Sequence, residues 1–244
     1  MKPAKIIVLS GILSGLVWAP GAPVKASDLS ASDVVRNVRD TFGRLEDYRV
    51  RVWVHVSIEG FQFPDQDVGL YYKSPDQIHL EGASLGMIPR QAVMANPSQL
   101  LDEEKFEIRL AGTESLEDRS TYRLDLTSRE WEAEGGEESG PDLKAWVDVE
   151  RWVIVQMEAH SDGVKQGLLT IDHILVADRY WLPEHTGVEI YMNGARPSSP
   201  HSPGDSTLSS HRPEKGTIEL TFHDYEVNVG LPDSLFIQSG TELE

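Results

Sequence analysis

The 244-residue chain contains no cysteine. That excludes a disulfide framework, thiol catalysis, thiolate-bound metal and an N-terminal lipid-modified cysteine. Positive charge is also scarce: 22 Lys and Arg face 40 Asp and Glu, for a formal net charge of −18. Nucleic acids and anionic membrane surfaces are held by basic patches, so neither is an expected partner. The nucleophile motif SxxK, the zinc motif HExxH and a glycine-rich phosphate loop after a strand are all missing. The expectation is a non-enzymatic protein with no cofactor.

Long apolar runs are few. The most apolar stretch, Ile6–Trp18, falls short of the ~20 residues a spanning helix needs, so stable membrane insertion is not expected. Lys2 and Lys5 precede it, and Val24-Lys25-Ala26 follows with small residues where a signal peptidase reads. This is the layout of a cleavable secretory signal. Residues 1–26 are expected to be that leader, and 27–244 a single domain large enough to bury one core.

Helical periodicity occurs in one place. Ser30-Ala31-Ser32-Asp33 offers a capping-box pair, and Val34/Val35, Val38, Phe42 and Leu45 recur at three- and four-residue spacing to about Asp47. Nearly everything after it alternates. YRVRVWVHVSIEG (48–60) sets Val50, Val52, Val54, Val56 and Ile58 against polar neighbours, the period-two pattern of a long strand with one apolar face. VGLYYK (68–73), a Ser74-Pro75-Asp76 turn and QIHLEG (77–82) continue it, as do segments 90–95, 105–112, 121–128, 143–150, 151–160, 167–193 and 217–228. About ten strands joined by short turns predict a large antiparallel meander, without the βαβ alternation of a parallel sheet. Segments 128–142 (acidic, Gly-rich) and 194–216 (Pro-, Ser- and Gly-rich) read as flexible loops.

Few polar groups suggest a site. Asp102-Glu103-Glu104 reads as a solvated turn. The histidines are scattered, four of them (His55, His79, His173, His223) within strands, and His223-Asp224 is a pair only in sequence if strand neighbours point to opposite faces. Aromatic and Met residues along the strands, such as Trp146 and Met157, suit either core packing or a site for flexible apolar ligands.

Geometry weighs between those two. One helix of about 25 Å cannot cover ten strands. The sheet must curl into an unclosed half-barrel, mainly β, with the N-terminal helix across its concave face. The resulting trough has room for an acyl chain. Candidate lining residues are Val52, Val54, Val56, Leu70, Tyr72, Leu80, Ile108, Met157, Ile190 and Phe222.

Short motifs point the same way. Gly69, Lys73, Pro75, Asp76 and Glu81 occupy a G-x-x-x-K-x-P-D/E-x-x-x-x-E pattern, Ala145-Trp146-Val147-Asp148 an "LWVD" pattern, and Tyr225, Asn228, Pro232, Asp233 and Phe236 a Y-x-x-N-x-x-x-P-D-x-x-F close. The chain resembles the LolA-like superfamily of outer-membrane lipoprotein-sorting carriers over nearly all of residues 27–244. The RPxxxRW pattern of dedicated carriers is replaced by SPDQIHL, which marks a divergent member. The resemblance implies a periplasmic half-barrel that works without cofactor and shields acyl chains of lipoproteins or lipids. It implies an inner-membrane transporter and an outer-membrane acceptor as further partners. The same fold also serves as an interaction or sensor domain that carries no lipid. A hydrolase built on a carboxylate or His pair stays as a third reading.

Overall fold

The computed structural model describes residues 29–59, 61–82, 96–129, 142–191 and 215–237. The expected leader at 1–26, the strand expected at 90–95 and most of the two expected loops lie outside the described residues.

Helix α1 (Ala31–Phe42) starts as its sequence requires. The Ser30 hydroxyl accepts from the Asp33 N–H at 3.2 Å, and the Asp33 carboxylate accepts from the Ser30 N–H at 3.0 Å. Val34, Val35, Val38 and Phe42 form its buried stripe. The helix ends at Phe42 rather than near Asp47. Gly43 caps it, donating to the Arg39 carbonyl at 2.7 Å, and Leu45 stays buried in the turn that follows.

Eleven strands follow among the described residues: β1 (Asp47–Ile58), β2 (Phe61–Gln62), β3 (Gln66–Lys73), β4 (Gln77–Glu81), β5 (Phe106–Leu116), β6 (Arg119–Ser128), β7 (Asp142–Asp148), β8 (Ile154–Ser161), β9 (Val164–Val176), β10 (Tyr180–Tyr191) and β11 (Lys215–Val227). A short helix, α2 (Ser234–Ile237), comes last. All pairings are antiparallel. The order β4-β3-β1-β11-β10-β9-β8-β7-β6-β5, with β2 beside β1, departs from a simple meander. The last strand pairs with the first, so β1 and β11 lie inside the sheet while β4 and β5 are its edges.

The sheet is open and curled. Five strand spacings separate β10 from β5, about 24 Å in a flat sheet. Helix α1 touches both strands, yet its 12 residues span only about 18 Å. The sheet therefore bends toward the helix. Because β4 and β5 are opposite edges, the chain between them must cross the open side. Its described part does so through side-chain ties: Asn96 Nδ2 donates to the Tyr72 hydroxyl at 3.2 Å, and Arg39 Nη2 to the Leu101 carbonyl at 3.1 Å. Strand β11 begins at Lys215, two residues inside the segment expected as a loop, because Lys215 and Gly216 pair with Tyr191 and Ile190.

Candidate functional site: the inner face of the sheet

Cross-strand register builds one apolar surface. Leu80 lies opposite Leu70, Leu70 opposite Val50, Val52 opposite Phe222, and Val54 opposite Leu220. The row continues through Leu220–Thr186–Ile171 and Ile218–Val188–Leu169, then Met157–Ala145–Leu124–Leu110. Directly opposed residues share a face, so a single surface runs the full width of the sheet. All ten candidate residues lie on it.

Two buried clusters fill this face, and α1 serves both. Phe42 packs with Val52, Val54, Leu70, Tyr72 and Phe222, with Val56 and Leu80 at the margin. Val34, Val35 and Val38 pack with Leu124, Ala145, Met157 and Leu169, with Ile108 at that margin. Val188 touches both clusters. The candidates therefore sit in different settings. Val52 and Leu70 are wholly covered by protein groups, whereas Ile190 is 40% exposed.

The two ends of the trough differ. At one end, Tyr48 is ringed by Tyr72 and Tyr225, with centroids 5.2 and 5.7 Å away. Burial raises the phenol pKa of Tyr48, Tyr72 and Tyr225. The opposite end is apolar and accessible. Ile58 pairs with Phe61, and Gly216 faces both Ile58 and Ile190. Phe61 is largely exposed and stacks on Phe63 at 6.1 Å. Beyond Ile190 the same row holds Gly167 and Ala159, so little side-chain bulk fills the face there.

The residues behind the family resemblance are structural ties. The Tyr71 hydroxyl donates to Glu81 at 2.5 Å, and a Cβ at Gly69 would meet that ring at 3.1 Å, so glycine keeps the path clear. Lys73 Nζ donates to the Leu231 carbonyl at 2.9 Å and pairs with Asp233. Asn228 accepts from the Glu46 N–H at 2.9 Å and donates to the Tyr180 hydroxyl at 2.8 Å. These contacts fasten the end of β11 to the start of β1.

Two polar expectations change. Glu103 is not merely solvated: it accepts from Ser32 at 2.8 Å and pairs with Arg39 at 3.2 Å, tying the crossing segment to α1. His223 and Asp224 do meet, Nδ1 to Oδ2 at 2.9 Å. A bulge opposite Val50, with Asp224 at φ +60°, breaks the alternation that would have separated them. The same bulge turns Tyr225 inward, where its hydroxyl donates to the Pro183 carbonyl at 2.7 Å. Elsewhere, Asp65 beside His55 raises that imidazole's pKa.

An open, single-layer antiparallel sheet with helix α1 across its hollow defines the class: a mainly β half-barrel. Solved structures of similar fold exist. A DUF1329 family protein from Desulfovibrio piger is similar over 86% of this chain and 98% of its own, at 13% identity and TM-score 0.51. A domain assigned to outer membrane lipoprotein sorting in Vibrio parahaemolyticus matches over the same shares at 14% identity and TM-score 0.51. A LolA superfamily protein from Nitrosomonas europaea aligns over 85% of this chain and 97% of its own, at 13% identity and TM-score 0.48. At the level of sequence no family model and no curated protein matches the chain.

Proposed function

We propose that the protein is an exported periplasmic carrier that shields an acyl chain of a lipoprotein or lipid between α1 and the inner face. The reading rests on the asymmetry of the trough, tied shut by tyrosines at one end and apolar and accessible around Ile58, Phe61 and Ile190 at the other. A chain entering there meets Val56, Val188, Leu169 and Met157 next. A fourteen-carbon chain gains roughly 11 kcal/mol gross at ~0.8 kcal/mol per CH₂, before ordering costs. No charged anchor is then required for uptake. No helix among the described residues is long and apolar enough to cross a membrane. Residues 1–26 are the export leader of this reading, and cargo passes from an inner-membrane transporter to an outer-membrane acceptor.

Fluorescent fatty acid titrated into the purified protein tests this. Ile58→Glu/Ile190→Glu places two charges at the rim, and is expected to weaken uptake by about tenfold or more while the protein stays folded, given the cost of bringing apolar chain past a carboxylate. Unchanged uptake overturns the reading. A second reading, an interaction or sensor domain carrying no lipid, is favoured by one observation: Val52 and Leu70 are already wholly covered by the protein's own side chains. Native mass spectrometry separates the two, since a carrier retains host lipid on purification and a sensor domain does not.

A further inference from the structure

In a chain this acidic, an arginine without a carboxylate partner stands out. Arg36, Arg39, Arg49, Arg51, Arg109 and Arg123 each have one within 4 Å. Five form no ion pair among the described residues, Arg44, Arg119, Arg129, Arg151 and Arg179, and three of these, Arg44, Arg151 and Arg179, line one cleft of about 390 Å³. The cleft lies between the C-terminal half of α1, the β7–β8 turn and the β9–β10 turn. Asp40 and Glu150 also line it, both exposed and neither paired with an arginine. Local charge is thus positive where the molecule as a whole is strongly negative.

Two of the three arginines are held rather than loose. The Arg151 guanidinium lies 4.2 Å from the centre of the Trp181 ring, and that of Arg179 lies 5.3 Å from the centre of Tyr180. Stacking on an aromatic face fixes the guanidinium plane and leaves its N–H edge free for two-pronged binding of an oxyanion. Trp152, also in the lining, has φ +56°, a costly conformation for a bulky residue. It is kept there by its N–H, which donates to the Asp148 carbonyl at 3.0 Å, and by its ring, stacked on Tyr122 at 5.4 Å. Trp152 packs against the apolar cluster beneath α1, so the cleft adjoins the trough.

We propose that Arg44, Arg151 and Arg179 form an oxyanion site for a phosphate group, at the end of the sheet opposite the Ile58–Ile190 rim. The site stands on the arginine geometry and does not depend on the carrier reading.

Calorimetric titration of the intact protein with dodecyl phosphate, neutral dodecyl maltoside and inorganic phosphate tests it, the maltoside reporting on the trough alone. The variant is Arg44→Ala/Arg179→Ala, two exposed side chains, with circular dichroism to verify folding. Dodecyl phosphate is expected to lose about tenfold or more in affinity, the scale of a charge-assisted contact, while dodecyl maltoside changes by less than about twofold. Arg151→Lys keeps the charge but loses the stacked fork, and should weaken dodecyl phosphate as well. Arginine-dependent binding of the phosphate probes, inorganic phosphate included, supports the oxyanion site. Phosphate probes that do not bind, or bind variant and parent alike, overturn the site even if dodecyl maltoside still enters the trough.

Discussion

Asp47 is a carboxylate only 3% exposed at the head of β1. Its two oxygens accept the backbone N–H groups of Val229, Gly230 and Leu231 at 2.7, 3.0 and 3.0 Å. Asp47→Ala leaves those donors without their acceptor and is expected to cost about 2–4 kcal/mol, read from urea denaturation. His173 is the opposite case. It is equally well buried, and neither ring nitrogen has a hydrogen-bond partner among the described residues. Burial pushes its pKa from 6.5 down to about 4, against a smaller opposing contribution from the Ile171 backbone; the charges of Arg151 and Arg119 add to the lowering. The folded state therefore holds His173 neutral while the unfolded chain protonates near its ordinary value. Its contribution is whole above about pH 6.5 and is lost as pH falls toward 4, to a limit of about 3 kcal/mol. His173→Phe is expected to flatten this part of the stability–pH curve, measured by denaturation between those limits.

Helix α1 depends on packing more than on its own length, since 12 residues make a marginal helix in water. Its capping box secures the first turn, and Ser30→Ala should cost about 1 kcal/mol of stability in thermal melts. The sequence pattern located this helix and its buried stripe, but put its end near Asp47, because Leu45 continues the apolar spacing. Burial of Leu45 in the following turn accounts for the spacing without further helix. Strand β8 likewise starts at Ile154, three residues later than the alternation from Arg151 suggests. Asp148 accepts the N–H groups of both Glu150 and Arg151 at 2.9 Å and makes that stretch a turn. The two-residue β2 was too short to show a period.

Across the molecule, the pairing of β1 with β11 joins residues 158 to 179 positions apart, including Val52 with Phe222. Closing so long a loop costs entropy before any contact repays it. Folding is expected on the millisecond-to-second scale typical of non-local β proteins, followed by stopped-flow tryptophan fluorescence. Sub-millisecond folding would contradict the topology's control of the rate. In hydrogen exchange, β1 and β11, flanked on both sides, should outlast the edge strands β4 and β5. The described part of the crossing segment is held to α1 by Glu103–Arg39 and to β3 by Asn96–Tyr72.

Alternation along each strand decided which side chains share a face. It is a local property of the pleat, and Val52, Leu70, Met157 and Phe222 could be assigned together without knowing any neighbour. The capping pair of α1 was legible for the same reason, as was the need for a curled sheet, which follows from counting apolar faces against helical cover. Strand order was not legible, because one strand's period carries no address for its partner. The bulge that joins His223 to Asp224, the burial of His173 and the gathering of Arg44, Arg151 and Arg179 also waited on tertiary structure. Each depends on chain segments far apart in sequence meeting in space, and no local pattern records that meeting.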